Sequence, residues 1–365
     1  MTCDLLHNVP FAENAKVDLV IPPSVLNFVT TNKCTAACCN CCFSCNSKNK
    51  DRLTLSNMKK YINQAVRAYP SLKIAVFTGG ECFTLGQSLE KIIRYSHFKG
   101  LATRVVTNAY WATTFKKAYL RLAPLVDAGL TEVNISTGDE HQKWVPLNNV
   151  VNGIIASLKL GLPTAINIET NESSNFNADV LRNDYRLKKY FKLYEGNKLL
   201  LMNGLWMPFT KTIQEEKTTK NNSTRKVILP SQRTHCTGLF NTISINPLHQ
   251  VYACCGLTSE YIPYLRLGDA KKIPLRDLYE YQFKDFLKIW LYIDGPKKIL
   301  DFCLNKRNRH FVNAENKHIC QICAELCNDE QNIDILQSYH QDIFLNVMLK
   351  YYLRTHTKTN FNEKK

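Results

Sequence analysis

The chain has 365 residues, of which 47 are lysine or arginine, 31 are aspartate or glutamate and 15 are cysteine. This length suffices for one large barrel-type domain or two ordinary domains with a substantial core, which excludes a disulfide-held mini-protein. The formal charge of +16 favours an acidic partner such as nucleic acid, an acidic peptide or an anionic cofactor. The basic residues are scattered, however, and that is typical of a solvated surface.

The first twenty residues contain no basic segment followed by an apolar run, and no window approaches the length of a membrane span. The sequence therefore predicts a cytoplasmic protein without a membrane segment. In a reducing compartment, clustered cysteines are more often metal ligands or catalytic groups than disulfides.

Over residues 25–203, short β-branched runs alternate with stretches of helical periodicity, which is typical of a parallel sheet with crossover helices. The predicted strands are 25–30, 73–78, 104–107, 132–137, 165–169 and 198–202. The clearest helix covers residues 147–158, and another follows Thr54 as its N-cap. Six such units predict an α/β fold with a partial (β/α)6 TIM-like barrel, in which chemistry gathers at the C-terminal strand ends.

A second region follows a polar segment at 214–233, which has the composition of a linker or mobile loop. In this region the runs TISI and QVYACC resemble the two strands of a hairpin, and residues 339–353 have the pattern of an amphipathic helix. The predicted organisation is an N-terminal extension, a partial barrel, a linker and a smaller cysteine-rich α+β domain, at 1–24, 25–213, 214–233 and 234–365.

One segment reads KCTAACCNCCFSCN and places six cysteines in twelve positions. The pattern CxxxCxxC occurs twice in it, as Cys34, Cys38 and Cys41 and again as Cys38, Cys42 and Cys45. A ligand loop should begin just after the first strand, and this favours the first register. Three such thiolates can hold three irons of a [4Fe–4S] cube and leave the fourth iron open to an exchangeable ligand. A structural zinc site is the alternative.

The CxxxCxxC loop after the first strand, followed by FTGGE at the end of the second, resembles the radical S-adenosylmethionine (radical SAM) superfamily. The resemblance covers about residues 25–202. It implies that the open iron chelates AdoMet and that an electron from the reduced cluster cleaves its sulfonium to a 5′-deoxyadenosyl radical, which abstracts a substrate hydrogen. It also implies an electron donor such as flavodoxin or ferredoxin.

The resemblance assigns further residues at the strand ends to AdoMet. Gly79, Gly80 and Glu81 close strand two, and glycine without a Cβ lets backbone approach a ligand. The polar ends of the next strands are expected to contact the ribose, adenine or methionyl part; they are Thr107, Asn108, Ser136 and Glu169. Each alone is equally well explained as a loop cap. The sequence departs from the family at Cys82, where Pro is usual, and at Asn40, where an aromatic residue is common.

Candidates for the chemistry lie on the same rim. Asp139 and His141 follow strand four with Glu140 between them, and histidine titrates near neutral pH while burial can tune carboxylates. Their alternative is an exposed polar loop. Cys82 is a candidate hydrogen donor or else a small buried hydrophobe. The thiols left without a role are Cys39, Cys42 and Cys45.

An isolated cysteine, a hairpin ending in a cysteine pair and a distal CxxC resemble the SPASM and twitch extensions of radical SAM enzymes. The resemblance implies one auxiliary [4Fe–4S] cluster, for which structural zinc is the alternative. Its predicted ligands are Cys236, Cys254, Cys320 and Cys323. Cys255 or Cys327 are possible substitutes.

The extension implies modification of a ribosomally made peptide, with an acidic leader, by epimerisation or by a carbon or thioether crosslink. Two alternatives remain open from the sequence. One is radical SAM modification of RNA or a small metabolite, which the positive charge permits. The other is a non-enzymatic zinc-binding module.

Overall fold

The structure is a computed structural model, and it describes residues 20–170, 174–205, 236, 238–308 and 317–356. The predicted linker at 214–233 and residues 1–19 of the predicted N-terminal extension lie outside this part. The strands are β1 (Val25–Val29), β2 (Ile74–Thr78), β3 (Ala102–Thr107), β4 (Glu132–Gly138), β5 (Thr164–Thr170), β6 (Leu199–Leu205), β7 (Thr242–Ile245), β8 (Gln250–Tyr252) and β9 (Arg266–Asp269).

The helices of the barrel region are α1 (Leu55–Ala68), α2 (Gln87–Phe98), α3 (Phe115–Asp127), α4 (Asp139–Gln142), α5 (Leu147–Lys159), α6 (Ala178–Asn183) and α7 (Lys188–Tyr194). Those of the C-terminal region are α8 (Leu275–Tyr281), α9 (Phe286–Lys306), α10 (Ile319–Asn328), α11 (Glu330–Tyr339) and α12 (Gln341–His356). Helix α9 is interrupted at Gly295, which has a φ of 78° and is followed by Pro296. Thr54 caps α1 as predicted, because its side chain accepts from the N–H of Asn57. No helix of the described ranges is both long and apolar enough to cross a bilayer.

Strands β1 to β6 pair in chain order, and every neighbouring pair is parallel. This confirms the predicted α/β fold with a partial TIM-like barrel, and each of the six predicted strands is present. The crossover helices cover the strands, so β1 has four buried residues out of five and β2 has three. Parallel pairing brings the C-terminal ends of all six strands to one rim.

The C-terminal region continues the same sheet. Strand β7 pairs in parallel with the free edge of β1, from Val25 opposite Thr242 to Phe28 opposite Ile245. Strands β7 and β8 form the predicted hairpin, and β9 adds antiparallel to β8. The sheet order is β6-β5-β4-β3-β2-β1-β7-β8-β9. The domain boundaries stay a prediction, and the sheet runs through the point where one was expected.

Side chains from distant parts of the chain join the two regions. Asn27 on β1 donates to the Ser244 hydroxyl on β7 at 2.8 Å. The Tyr61 hydroxyl on α1 lies 2.7 Å from Nδ1 of His249 in the β7–β8 turn, and both residues are buried. These contacts fix the C-terminal region against the barrel and thereby fix the position of the second cysteine group.

Candidate active site

A cavity of about 370 Å³ opens at the C-terminal ends of the barrel strands. One part of its wall is the cysteine loop, and the facing part is formed by the strand ends. The predicted site residues that line it are Cys34, Cys38, Cys41, Gly79, Gly80, Thr107, Asn108, Ser136, His141 and Glu169. Cys42 and Cys45 line it as well, so position at the cavity does not by itself distinguish the two registers.

The ends of the cysteine loop are tied together. Residues Lys33 and Asn46 form a β-bridge, and the N–H of Cys34 donates to the Asn46 carbonyl at 3.0 Å. Inside the loop, the N–H of Cys41 donates to the Cys38 carbonyl at 3.3 Å. These bonds give the loop a defined shape, with its thiols gathered at one end of the cavity.

The glycine pair after β2 packs directly against that loop. A Cβ on Gly79 would lie 2.6 Å from the Thr31 carbonyl oxygen, and one on Gly80 would lie 2.4 Å from that of Lys33. The N–H of Glu81 donates to the same Lys33 carbonyl at 2.9 Å. The glycines were predicted for close approach to a ligand. The structure shows a different close approach: the backbone that leads into the cysteine loop leaves no room for a Cβ at either glycine.

The thiols of the loop differ in their electrostatics. A hydrogen bond from the Cys45 thiol, helped by the N–H groups of Cys45, Phe43 and Ser44, lowers the pKa of Cys41 to about 6. The same contact raises the pKa of Cys45. Burial raises the pKa of Cys34 to about 11. Cys41 and Cys45 are thus a hydrogen-bonded pair of thiols within the loop.

Glu81 lies behind the cavity wall. It is fully buried, and its carboxylate accepts from the N–H groups of Phe83 and Asn108 at 3.0 and 2.8 Å and from the Thr107 hydroxyl at 2.9 Å. Burial raises its pKa to about 7. Glu81 does not itself line the cavity: its side chain positions Thr107 and Asn108, which do, and its contact with AdoMet stays a prediction. The Asn108 amide in turn points at the sulfur of Cys34, 3.8 Å away.

Glu169 and His141 form one unit at the ends of β5 and β4. One Glu169 oxygen accepts from the N–H groups of Glu140 and His141 at 2.6 and 3.0 Å, and the other contacts Nδ1 of His141. Burial lowers the pKa of His141, while the contact with the Glu169 carboxylate favours the protonated ring. Gly138, with φ of 140°, leaves the space that Glu169 fills. The unit presents a fixed carboxylate to the cavity.

Two predicted catalytic residues do not reach the cavity. The Asp139 carboxylate accepts from the N–H groups of Asn175 and Phe176 at 2.7 and 3.1 Å, and it thereby fixes the chain after β5. Cys82 has no exposed surface, lies in the core and donates to the Val106 carbonyl at 3.3 Å. Neither residue lines the cavity, both have partners in the fold, and their catalytic roles stay predictions.

The inner wall carries polar residues that the sequence analysis missed. They are Asn27, Arg104, Asn134, Asn167 and Cys255. The signal was available, because side chains on one face of a strand recur every two residues. Ser136 and Glu169 lie on the inward face of β4 and β5. Asn134 and Asn167 stand two positions earlier on the same strands and therefore share that face. The Arg104 guanidinium pairs with Glu132 at 2.7 Å.

The second cysteine group gathers beside the end of β8. A Cβ on Gly256 would lie 3.2 Å from the sulfur of Cys320 and 3.5 Å from that of Cys254. The pKa of Cys254 is raised by burial and, next, by the charge of Cys236, with further contributions from Cys323 and Cys320. The structure thus brings the four predicted auxiliary ligands near one another.

Of the remaining thiols of that region, Cys327 forms a hydrogen bond with Cys323, and the others point away from the four. Cys255 turns to the active-site cavity, and Cys303 donates to the Asn332 carbonyl at 3.8 Å inside the helical layer. All cysteines of the described ranges are free thiols. Within the same ranges, no three His, Cys, Asp or Glu side chains are arranged to hold a single metal ion. A cubane, by contrast, distributes its protein ligands over different irons.

No family model and no curated protein sequence matches the chain. Solved structures do match it. Native anSMEcpe with bound AdoMet and the Cp18Cys peptide superposes with a TM-score of 0.52 at 14% identity, over 89% of this chain and 100% of that one. The same protein with AdoMet and the Kp18Cys peptide gives 0.52 at 15%, with equal coverage. A histidine-tagged form of anSMEcpe with AdoMet gives 0.51 at 14%, over 91% and 98%.

These structures are radical SAM enzymes, and the chain shares their fold. The resemblance found in the cysteine loop and the FTGGE turn is thereby confirmed at the level of the fold. The comparisons do not confirm a SPASM extension.

Proposed function

We propose that the chain is a radical SAM enzyme, with a [4Fe–4S] cluster on Cys34, Cys38 and Cys41 and AdoMet in the cavity beside them. The observation that carries the proposal is that the cysteine loop and the polar ends of β3, β4 and β5 line one cavity. When bound and reduced, these groups supply a 5′-deoxyadenosyl radical that abstracts hydrogen from the substrate. The protein is proposed to act in the cytoplasm with an external electron donor.

The residues of the loop fit a thiolate-bound cluster in the first register. Cys34 and Cys41 belong only to that register, and backbone N–H groups donate to their sulfurs, from Ala36 to Cys34 and from Cys45 to Cys41, each at 3.4 Å. Cys45 belongs only to the second register, and its thiol donates to the Phe43 carbonyl at 3.5 Å. In the first register Cys45 acts on the site through its hydrogen bond to Cys41, as outer partners of metal ligands commonly do.

The strand ends fit the polar groups of AdoMet. Glu169 offers carboxylate oxygens to amino or hydroxyl donors, and the N–H groups of Glu140 and His141 hold it in place. Asn108 and Ser136 add side chains that both donate and accept. His141 holds Glu169 through both its ring and its N–H, so we assign it a positioning role.

The second cysteine group fits an auxiliary cluster on Cys236, Cys254, Cys320 and Cys323. The space at Gly256, which a Cβ would fill, lies between two of these thiols. A structural zinc would use similar thiolates. Metal analysis separates the two.

For the substrate we propose a ribosomally made peptide, modified by epimerisation or by a carbon or thioether crosslink. The cavity wall carries the amides of Asn27, Asn134 and Asn167, and an amide side chain can both donate to and accept from a peptide group. Native anSMEcpe, which has the same fold, was solved with a bound peptide. Its low identity makes this support an analogy between folds.

The test is anaerobic purification with iron and sulfide analysis, followed by reduction with AdoMet and measurement of 5′-deoxyadenosine. Two cubes predict about eight irons per chain. The Cys34→Ala variant should lose cleavage, whereas Cys39→Ala, a matched change at an exposed thiol outside the cavity lining, should keep it. Zinc without labile sulfide in the wild type would contradict the proposal and support a zinc-binding module. Binding of RNA in preference to peptides, with steep salt dependence, would overturn the substrate class.

A further inference from the structure

A second depression, of about 590 Å³, lies beside the base of the cysteine loop. We call it the basic groove. It is lined by Lys33, Lys48, Lys50, Arg52, Thr31, Ser47, Asn49, Thr84 and Leu85. Its four basic side chains belong to exposed residues, and no acidic residue is part of the lining. The groove therefore concentrates positive charge at one place on the surface.

The basic groove and the active-site cavity lie on different sides of the same loop. Lys33 immediately precedes Cys34, and Ser47 follows Cys45 by two positions. The bridge between Lys33 and Asn46 joins these two flanks of the loop. The two linings have no residue in common. Five of the six thiols thus line the cavity, while the flanks of the loop line the groove.

The charge of the groove is not neutralised within the described part of the chain. None of its four basic residues forms an ion pair there. Basic residues elsewhere on the surface do so, as Arg94 with Glu90 at 3.0 Å and Arg182 with Glu195 at 2.7 Å. Asp51 lies between two groove residues in sequence but does not line the groove. An acidic partner would supply the missing countercharge.

We propose that the basic groove is the docking surface for an acidic one-electron carrier protein, an inference that rests on the proposed function. One electron leaves the reduced centre of the carrier and enters the cluster, so that the carrier is oxidised and the cluster reduced by one electron. In the proposed function, AdoMet and the substrate take up the cavity side of the loop. The groove side leaves the loop open to a protein, and complementary charge accelerates such encounters.

The test compares two sources of the electron. The variant carries Lys48→Glu and Lys50→Glu, and the control carries Lys188→Glu and Lys189→Glu, which changes the net charge equally at exposed positions on α7. AdoMet cleavage is measured with reduced flavodoxin and, separately, with dithionite. We expect the groove variant to lose at least about tenfold with flavodoxin at low salt, because steered association depends on charge and is screened by salt. With dithionite, the wild type and both variants should cleave AdoMet equally.

Each other outcome has a distinct meaning. Equal flavodoxin-driven rates in the groove variant and the wild type would overturn the docking proposal while leaving the proposed function intact. An equal loss in the control variant would show that net charge, not the groove, matters. Loss of RNA binding in the groove variant, with an unchanged flavodoxin-driven rate, would assign the groove to nucleic acid instead. Absence of cleavage by the wild type with dithionite would contradict the proposed function itself.

Discussion

The first cysteine group occupies twelve consecutive positions after β1, whereas the second combines Cys236, the end of β8 and the start of α10. In the first group, local backbone hydrogen bonds and the glycine pair after β2 hold the loop. In the second, the thiols converge only because the sheet and the helices bring distant segments together. A contiguous cluster is therefore specified by its own loop, while a dispersed cluster depends on the whole C-terminal fold.

The largest expected effect separates the two registers of the first group. Cys41→Ala should lower AdoMet cleavage by at least about 100-fold, since in the proposed register it removes an iron ligand. Cys45→Ala should lower it by about 10-fold, because Cys45 acts through Cys41 as an outer partner. Cleavage assays on both anaerobically purified variants measure the difference. The reverse order would establish Cys38, Cys42 and Cys45 as the ligands.

The second group should be separable from the first. Cys254→Ala is expected to lower the iron content by about four per chain, one cube, while the AdoMet-cleaving cluster remains. Cys303→Ala, a change at another buried cysteine of the C-terminal region, is the matched control and should leave the iron content unchanged. Iron analysis and the yield of 5′-deoxyadenosine are measured together. If Cys303→Ala also loses four irons, the ligand set is wrong.

Glu81, which lies behind the first cysteine group, should make the free energy of unfolding depend on pH. Its pKa is raised from 4.5 to about 7 in the folded protein, so the folded state binds more protons than the unfolded state between these values. The stability this group contributes below pH 4.5 is therefore lost as the pH rises through 7. Gln does not titrate, so the Glu81→Gln variant does not lose stability in this way as the pH rises. The free energy of unfolding of Glu81→Gln, relative to the wild type, should rise by about 2 to 3 kcal/mol between pH 5 and pH 8.

Urea denaturation of the metal-free protein at the two pH values measures this change. The glutamine loses acceptor bonds from Phe83 or Asn108 at both pH values, so that cost cancels in the comparison. A difference between variant and wild type that does not vary with pH would show that Glu81 is ionised throughout.

The smallest expected effects are those of two glycine substitutions, one beside each cysteine group. Gly80→Ala should lower the free energy of unfolding by about 2 kcal/mol, because its Cβ would meet the Lys33 carbonyl, which is held by a hydrogen bond from Glu81. Gly256→Ala meets the Cys320 side chain at 3.2 Å and should cost less than about 1 kcal/mol in the metal-free protein. Chemical denaturation tests both. Equal losses of stability in the two variants would mean that the backbone of the cysteine loop moves aside as easily as the Cys320 side chain.

The strands and their polar ends could be predicted because apolar periodicity and parallel pairing together place strand ends on one rim. The sequence could not show the direction of a side chain where that direction depends on partners far along the chain. Asp139 follows β4 as a catalytic residue would, yet the N–H groups of Asn175 and Phe176 bind it. Cys82 follows the glycine turn but points into the core. The buried Glu81 side chain turns to three donors, the N–H groups of Phe83 and Asn108 and the Thr107 hydroxyl.

The central place of β1 has a consequence for how the protein is made. Its two partners are synthesised far apart, since Val25 pairs with Ile74 on one side and with Thr242 on the other. Until β7 leaves the ribosome, the strand that leads into the cysteine loop has one open edge, which can pair wrongly with other chains. Iron loaded during synthesis would therefore meet a strand without its second neighbour. Slow translation of the chain between β2 and β7 would lengthen the time for which this edge stays open.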